Sequence, residues 1–482
     1  MASLKHKTIN GVLWSAVDSF SAQGITFLVG IVLARLLTPK DFGLIGMLTV
    51  FIAISESFIN SGFASALIRK KHCTQTDYST VFIYNLAVGV LFFLLLYFCA
   101  PLISEFFKES QLVPLVRVLG LELIISSLTI IQKTILTKRI DFKLQTKISV
   151  IAAVGSGVVG IAMAYSGFGV WSLVFQILTK QGLNSLFLWI WNRWRPTWEF
   201  SVQSFKEMFA FGSRLLASGL IDTLYKNIYQ LVIGKFFSAQ DLGFYTRAQM
   251  FRDLPAKNLT SVMTRVTYPV LAQLQDDKVV LKAGYKKIIK SIMFISMILM
   301  AGMAAVAEPM VITLIGEQWR PSIVYIQLMA FPGVMYPLHA LNLNMLQVQG
   351  RSDLFLKLEI IKKIIAVPVL VIGVFLGIKI MILGSWITTL IAYYLNSYWS
   401  GRFINYSVWE QIKDILPGLG IALIMGVVVV LVGWLLPASY LVKLIVQIVV
   451  GALTVFLMCE CFKPKAYLEL KDIAINHIFK KP

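Results

Sequence analysis

The chain is divided into apolar runs of roughly 20 or more residues, the helix length that crosses a hydrocarbon core about 30 Å thick. Charged residues lie mostly between these runs. Only 14% of the 482 residues are charged and 57% are hydrophobic, whereas a soluble domain carries about 25% charged residues. The pattern predicts an all-α polytopic membrane protein with about 14 spans. Their limits fall near 9–36, 42–68, 78–103, 112–135, 148–165, 168–191, 205–233, 245–271, 288–307, 323–348, 354–375, 378–400, 412–435 and 441–459. The run 245–271 is the most polar, with four bases, Asp253 and a Pro255 that removes a helix hydrogen bond.

With the N-terminus in the cytoplasm, the inner loops collect Lys5 and Lys7, Arg69 to Lys71, Lys138 to Lys147, Lys278 to Lys287, and Lys463 to Lys471. The outer loops hold only scattered bases such as Lys40, Lys108, Arg320 and Lys379, partly offset by acids. This asymmetry predicts cytoplasmic N- and C-termini, and it accounts for most of the net charge of +20 without nucleic acid. The apolar run after Lys7 is too long for a signal peptide and contains Asp18 and Gln23, so it is expected to be a permanent helix. The 4 cysteines lack CxxC spacing and the 4 histidines are far apart, so neither a disulfide framework nor a metal site is expected. No loop is long enough for a soluble catalytic domain, and a transporter is expected rather than an enzyme.

Self-comparison shows a repeat. VLARLLTPKDFGL from Val32 matches VIGKFFSAQDLGF from Val232, with Asp41 and Gly43 aligned on Asp241 and Gly243 at an offset of 200. Each copy follows an odd-numbered span, so the halves enter the membrane in the same direction. Two parallel six-helix bundles around a central cavity follow, at 1–200 and 201–403, with two additional helices and a tail at 404–482. In the repeated motif, Asp caps the following helix and Gly is expected to permit a tight turn. The GxGxxG of Gly155, Gly157 and Gly160 lies inside an apolar run with no preceding strand, so it is read as helix packing. Trp189, Trp191, Trp194 and Trp198 are read as an interfacial belt.

Ionisable groups at membrane depth are costly unless paired or facing water. The first span holds Asp18, the second Glu56 and the fourth Glu122; the seventh holds Arg214, Asp222 and Lys226; the eighth holds Arg247, Arg252, Asp253, Lys257 and Arg265. Arg214 and Arg252 are the foremost candidates for an anion, because a guanidinium stays charged and its fork suits phosphate oxygens. Arg247 and Lys257 are further candidates. Against Arg247 and Lys235 stands simple snorkelling, and against Asp222 stands neutralisation by Lys226 four residues on. Asp18, Glu56 and Asp222 are candidates for binding a coupling ion, Na⁺ or H⁺. No other cofactor is expected.

The segments ARLLTPKDFGLIGM, SGFGVWSLV, LGFYTRAQMFRDLP, YPVLAQLQDD and GEQWRPS resemble the polysaccharide flippase branch of the multidrug/oligosaccharidyl-lipid/polysaccharide exporter superfamily. The likeness is to Wzx-type colanic acid and lipopolysaccharide exporters. It implies movement of undecaprenyl-pyrophosphate-linked oligosaccharide across the bacterial inner membrane, toward O-antigen, capsule or exopolysaccharide. It also implies membrane lipids, a polysaccharide polymerase and export machinery as partners, and family positions at Arg247 and Arg252. The chain departs from the family pattern at Tyr229, where relatives carry an acid; Asp222 is the substitute. The competing expectation is a cation-coupled multidrug exporter of the same superfamily, whose cavity should be acidic.

Overall fold

A computed structural model describes residues 21–478, and among them all regular structure is helical. In chain order these are α1 (Ser21–Leu36), α2 (Pro39–Asn60), α3 (Phe63–Arg69), α4 (Gln75–Phe107), α5 (Leu112–Leu119), α6 (Leu121–Lys138), α7 (Phe142–Tyr165), α8 (Val170–Trp191) and α9 (Val202–Phe236). They continue as α10 (Ala239–Gln273), α11 (Lys278–Ala305), α12 (Ala307–Ile315), α13 (Ser322–Val348), α14 (Ser352–Leu376), α15 (Ile378–Ile404), α16 (Val408–Leu435), α17 (Tyr440–Phe462) and α18 (Lys465–Ile478). Each expected span falls, in its described residues, on a helix or a consecutive helix pair, and residues 9–20 of the first lie outside the described residues. Nine helical segments among the described residues are long and apolar enough to cross a membrane. The long helices α8, α9, α10 and α14 fall outside that set; they carry interior charges such as Lys180, Lys226, Arg252 and Lys362.

By packing, the chain forms two compact units, residues 1–246 and residues 247–482. In the first, α7 packs on α8, α4 on α6, and α2 on α9. The glycines of α7 serve close packing: a Cβ on Gly157 would lie 2.5 Å from Val29 of α1, and one on Gly160 would lie 3.0 Å from Gln176 of α8. Two of the four tryptophans turn inward rather than toward an interface. Trp189 and Trp194 each pack edgewise on Phe82 at 5.8 Å. Trp189 donates to the Leu128 carbonyl and Trp194 to Gln75, so their N–H groups are satisfied where burial would otherwise be costly. Trp198 remains 79% exposed.

In the second unit, α11 packs on α13 and α16, α13 on α15, and α16 on α17. The core is formed by Ile289, Met293, Leu338, Leu341 and Met345 around Tyr285. Tyr285 donates to Asn342 at 3.0 Å. At one end, α16 is joined to α11 by a ladder of charges. Lys282 and Lys286 pair with Glu410 at 2.9 and 3.0 Å, and Lys286 and Lys290 pair with Asp414, both at 3.0 Å. The additional helix α16 is thereby tied to the repeat by alternating signs and by apolar packing.

The repeated motif has a double function. Thr38 and Asp41 form a capping box at the start of α2. Ser238 and Asp241 form its counterpart at the start of α10. The expected glycine turn is corrected: Gly43 and Gly243 lie inside α2 and α10, and neither has a positive φ. They allow two helix starts to cross. A Cβ on Gly43 would collide with the Ala239 carbonyl, and a Cβ on Gly243 with the Pro39 carbonyl. At the offset of 200 these two contacts map onto each other, the signature of a two-fold relation.

Gly43→Ala and Gly243→Ala should each lower thermal stability in detergent by about 1–3 kcal/mol, the cost of overpacking. Gly219 on α9 has no neighbouring atom within 4 Å of a Cβ, so Gly219→Ala should be neutral or stabilising. Equal behaviour of all three variants would contradict the crossing.

Candidate functional site

The charges on α10 form two separate groups. Arg252 donates from Nε to Asp253 at 2.8 Å, and Lys257 pairs with the other carboxylate oxygen at 2.7 Å. Two cations therefore share one acid, leaving a net positive cluster on the helix. Asp253 and Arg252 are mostly covered, at 17% and 22% side-chain exposure, whereas Lys257 is 57% exposed. The stem of Arg252 rests against Gly333 of α13, where a Cβ would lie 3.0 Å from its Cγ. A residue larger than glycine there would push the guanidinium away.

Arg247 belongs elsewhere. It is five residues before Arg252, about 140° around the helix at 100° per residue. It is only 4% exposed. Its guanidinium lies 5.3 Å from the centre of the Trp319 ring, a cation–π contact that joins α10 to the GEQWRPS turn. The structure therefore brings Arg252 and Lys257 together and places Arg247 in a packing position. On α9, Asp222 pairs with Lys226 at 2.6 Å, the mutual neutralisation that their spacing suggests. Lys235 donates to the Phe106 carbonyl at 2.6 Å. The side chain of Arg214 and the whole of Asp18 lie outside the described residues.

Residues 1–246 hold a second polar site. A cavity of about 410 Å³ is lined by Glu56 of α2, Glu122 of α6, and Lys180 and Gln181 of α8, within walls that include Ile45, Ile52, Leu119 and Ile177. Glu56 is within hydrogen-bonding reach of Ser126. Lys180 donates to Thr26 of α1 at 3.1 Å. Three ionisable groups from three helices thus meet in largely apolar surroundings, where an isolated charge is expensive. Glu56 was legible from the sequence as a membrane-depth acid. Lys180 was overlooked, although it is the one charged residue between Arg139-flanked α7 and Arg193 that sits inside α8. Its isolation in an apolar helix was the available signal.

The architecture and these two charged sites define a class: a multi-pass membrane protein, helical throughout its regular structure among the described residues, with ionisable groups set inside its helices. Residues 32–324 match the family described as polysaccharide biosynthesis protein, and the chain belongs to that family. It is 25% identical over 443 residues to the lipopolysaccharide biosynthesis protein WzxC of Escherichia coli (strain K12), covering 88% of this chain and 89% of that protein. It is 26% identical over 356 residues to the teichuronic acid biosynthesis protein TuaB of Bacillus subtilis (strain 168), covering 73% and 74%. Among solved structures, the lipid II flippase MurJ in an inward closed conformation shares the fold, with a TM-score of 0.76 over 94% of this chain and 98% of that one at 14% identity.

Removing Lys180 leaves Glu56 and Glu122 in the cavity without its charge. Lys180→Met should lower thermal stability by about 1–3 kcal/mol, and adding Glu122→Gln should recover most of that loss through coupling within the cluster. Additive losses in the double variant would show that the two side chains do not share a site.

Proposed function

We propose that this chain is a flippase that moves a polyprenyl-pyrophosphate-linked oligosaccharide across the bacterial inner membrane for surface polysaccharide export. The observation that carries this reading is the net positive cluster on α10, where Arg252 and Lys257 share Asp253. A pyrophosphate offers several anionic oxygens, which a guanidinium fork and a lysine can share as Asp253 yields its partners. Family membership supplies the context, since the relatives are named for lipopolysaccharide and teichuronic acid biosynthesis. The excess of bases in alternate loops favours cytoplasmic termini, so that the substrate enters from the cytoplasmic leaflet. Transport proceeds by alternating access.

The coupling ion in this reading is H⁺, exchanged at Glu56 and Glu122. Two carboxylates in one small cavity favour a bound proton, because both ionised at once would repel. Lys180 in the same cavity supplies a positive charge, which disfavours Na⁺. Asp222 is already held by Lys226 and is the weaker candidate.

Arg252→Ala should reduce polymer export at least about tenfold with normal membrane insertion, and Arg252→Lys should recover only part of it, because lysine lacks the planar fork. Export by Arg252→Ala at the wild-type level would overturn the phosphate role. In vesicles, Glu56→Gln and Glu122→Gln should each make transport insensitive to an imposed pH gradient. Transport that follows a Na⁺ gradient instead, or variants that keep the pH response, would overturn the proton site.

A further inference from the structure

Within residues 247–482, two cavities join. The first, about 490 Å³, is a groove between α11, α13 and α16 walled by Ala301, Ala304, Gly426 and Val427, with Gln327 as its polar residue. Gly426 has no neighbouring atom within 4 Å of a Cβ, so the small residues of this wall leave real space. The second cavity, about 250 Å³, shares Ala305, Gln327 and Val430 with the groove and opens into a polar cup. Glu308, Trp434, Tyr440, Lys443 and Gln447 line the cup. It lies at the end of α16 opposite the Lys282 to Asp414 charge ladder, hence on the outer side if that ladder is cytoplasmic.

The cup is built rather than incidental. Gln447 is 3% exposed. Its Nε2 donates to the Val429 carbonyl at 2.8 Å, while its Oε1 is buried with no hydrogen-bond partner. Gly433 of α16 makes room for this amide, since a Cβ there would overlap it. A buried acceptor left open costs free energy unless something donates to it. Arg320 donates to Glu308 at 2.7 Å and to the Tyr440 hydroxyl at 3.1 Å and also pairs with Glu317, so the Glu308 carboxylate is held in place by a cation that it shares with a second acid. Lys443 lies 6.0 Å from the Tyr440 ring and pairs with no carboxylate among the described residues. Trp434 stands at the rim, 82% exposed. Snorkelling would explain Lys443 alone, and an aromatic belt Trp434 alone. Neither explains the open Gln447 oxygen or the continuity of cup and groove.

We propose that the groove and cup hold the flipped lipid-linked glycan on the outer side, with part of its prenyl chain along α16 and its phosphate and first sugar at Lys443, Gln447 and Trp434. This rests on the flippase reading above and adds a second site to it. The Gln447 oxygen favours an occupant that brings a donor, and each sugar unit of the glycan carries several hydroxyls. An exposed indole offers a flat apolar face to the C–H side of a pyranose, and Lys443 offers a point charge to phosphate.

The test is native mass spectrometry of the purified full chain with a synthetic polyprenyl-pyrophosphate disaccharide, and with phosphatidylglycerol as competitor. The wild type should retain two glycolipids. Trp434→Ala and Lys443→Gln should each weaken one of them about tenfold, and Gly426→Phe, which fills the groove, should do the same. Arg252→Ala should remove the other. A single bound glycolipid unchanged by the Trp434, Lys443 and Gly426 variants would overturn this site and leave the flippase reading standing. Displacement by equimolar phosphatidylglycerol would assign the cup to bulk lipid and overturn it as well. Absence of any bound glycolipid on the folded wild type would overturn both readings.

Discussion

A charge inside an apolar helix bundle must be neutralised, solvated or used, and the organisation of this protein follows from how each such charge is met. Some are closed off in pairs: Asp222 with Lys226, and the lysines of α11 with Glu410 and Asp414. Arg247 is buried against Trp319, where the ring face offsets part of its desolvation. Two further groups bear on the proposed transport cycle. Arg252 and Lys257 outnumber Asp253, and Glu56 and Glu122 share a cavity with Lys180 while Lys133 of α6 acts on Glu56. In the proposed cycle the first group would meet the anionic substrate and the second would exchange a proton.

The fold was largely legible because the membrane permits few backbone arrangements. Apolar length and loop charge were enough to place the helices, and the 200-residue offset between Asp41 and Asp241 identified the repeat. The capping role of these acids follows from local chemistry and was legible too. The role of the glycines beside them was not. A turn glycine and a close-packing glycine look alike in one dimension, and only the proximity of α2 and α10 shows that Gly43 faces Ala239.

The sites were legible as a list of charges but not as constellations. Spacing on one helix predicts the Asp222 to Lys226 pair, whereas Arg247 was expected beside Arg252 at one anion site and lies instead against Trp319. It cannot bring Glu56, Glu122 and Lys180 together, since these come from α2, α6 and α8. The cup at Gln447 was further from reach, because a glutamine in an apolar helix carries no charge and its importance depends on the empty acceptor and on Gly433 opposite. Under the two proposals the anionic head would meet Arg252 and Lys257 of α10 and Lys443 of α17.

The most direct measurement is leaflet exchange of a fluorescent polyprenyl-pyrophosphate oligosaccharide in vesicles containing the purified protein. Quenching from outside reports how much labelled lipid has crossed. The account predicts protein-dependent exchange that accelerates with a pH gradient and fails for the same glycan on a polyprenyl anchor without phosphate. Exchange no faster than in protein-free vesicles, with the reconstituted protein folded, would contradict it.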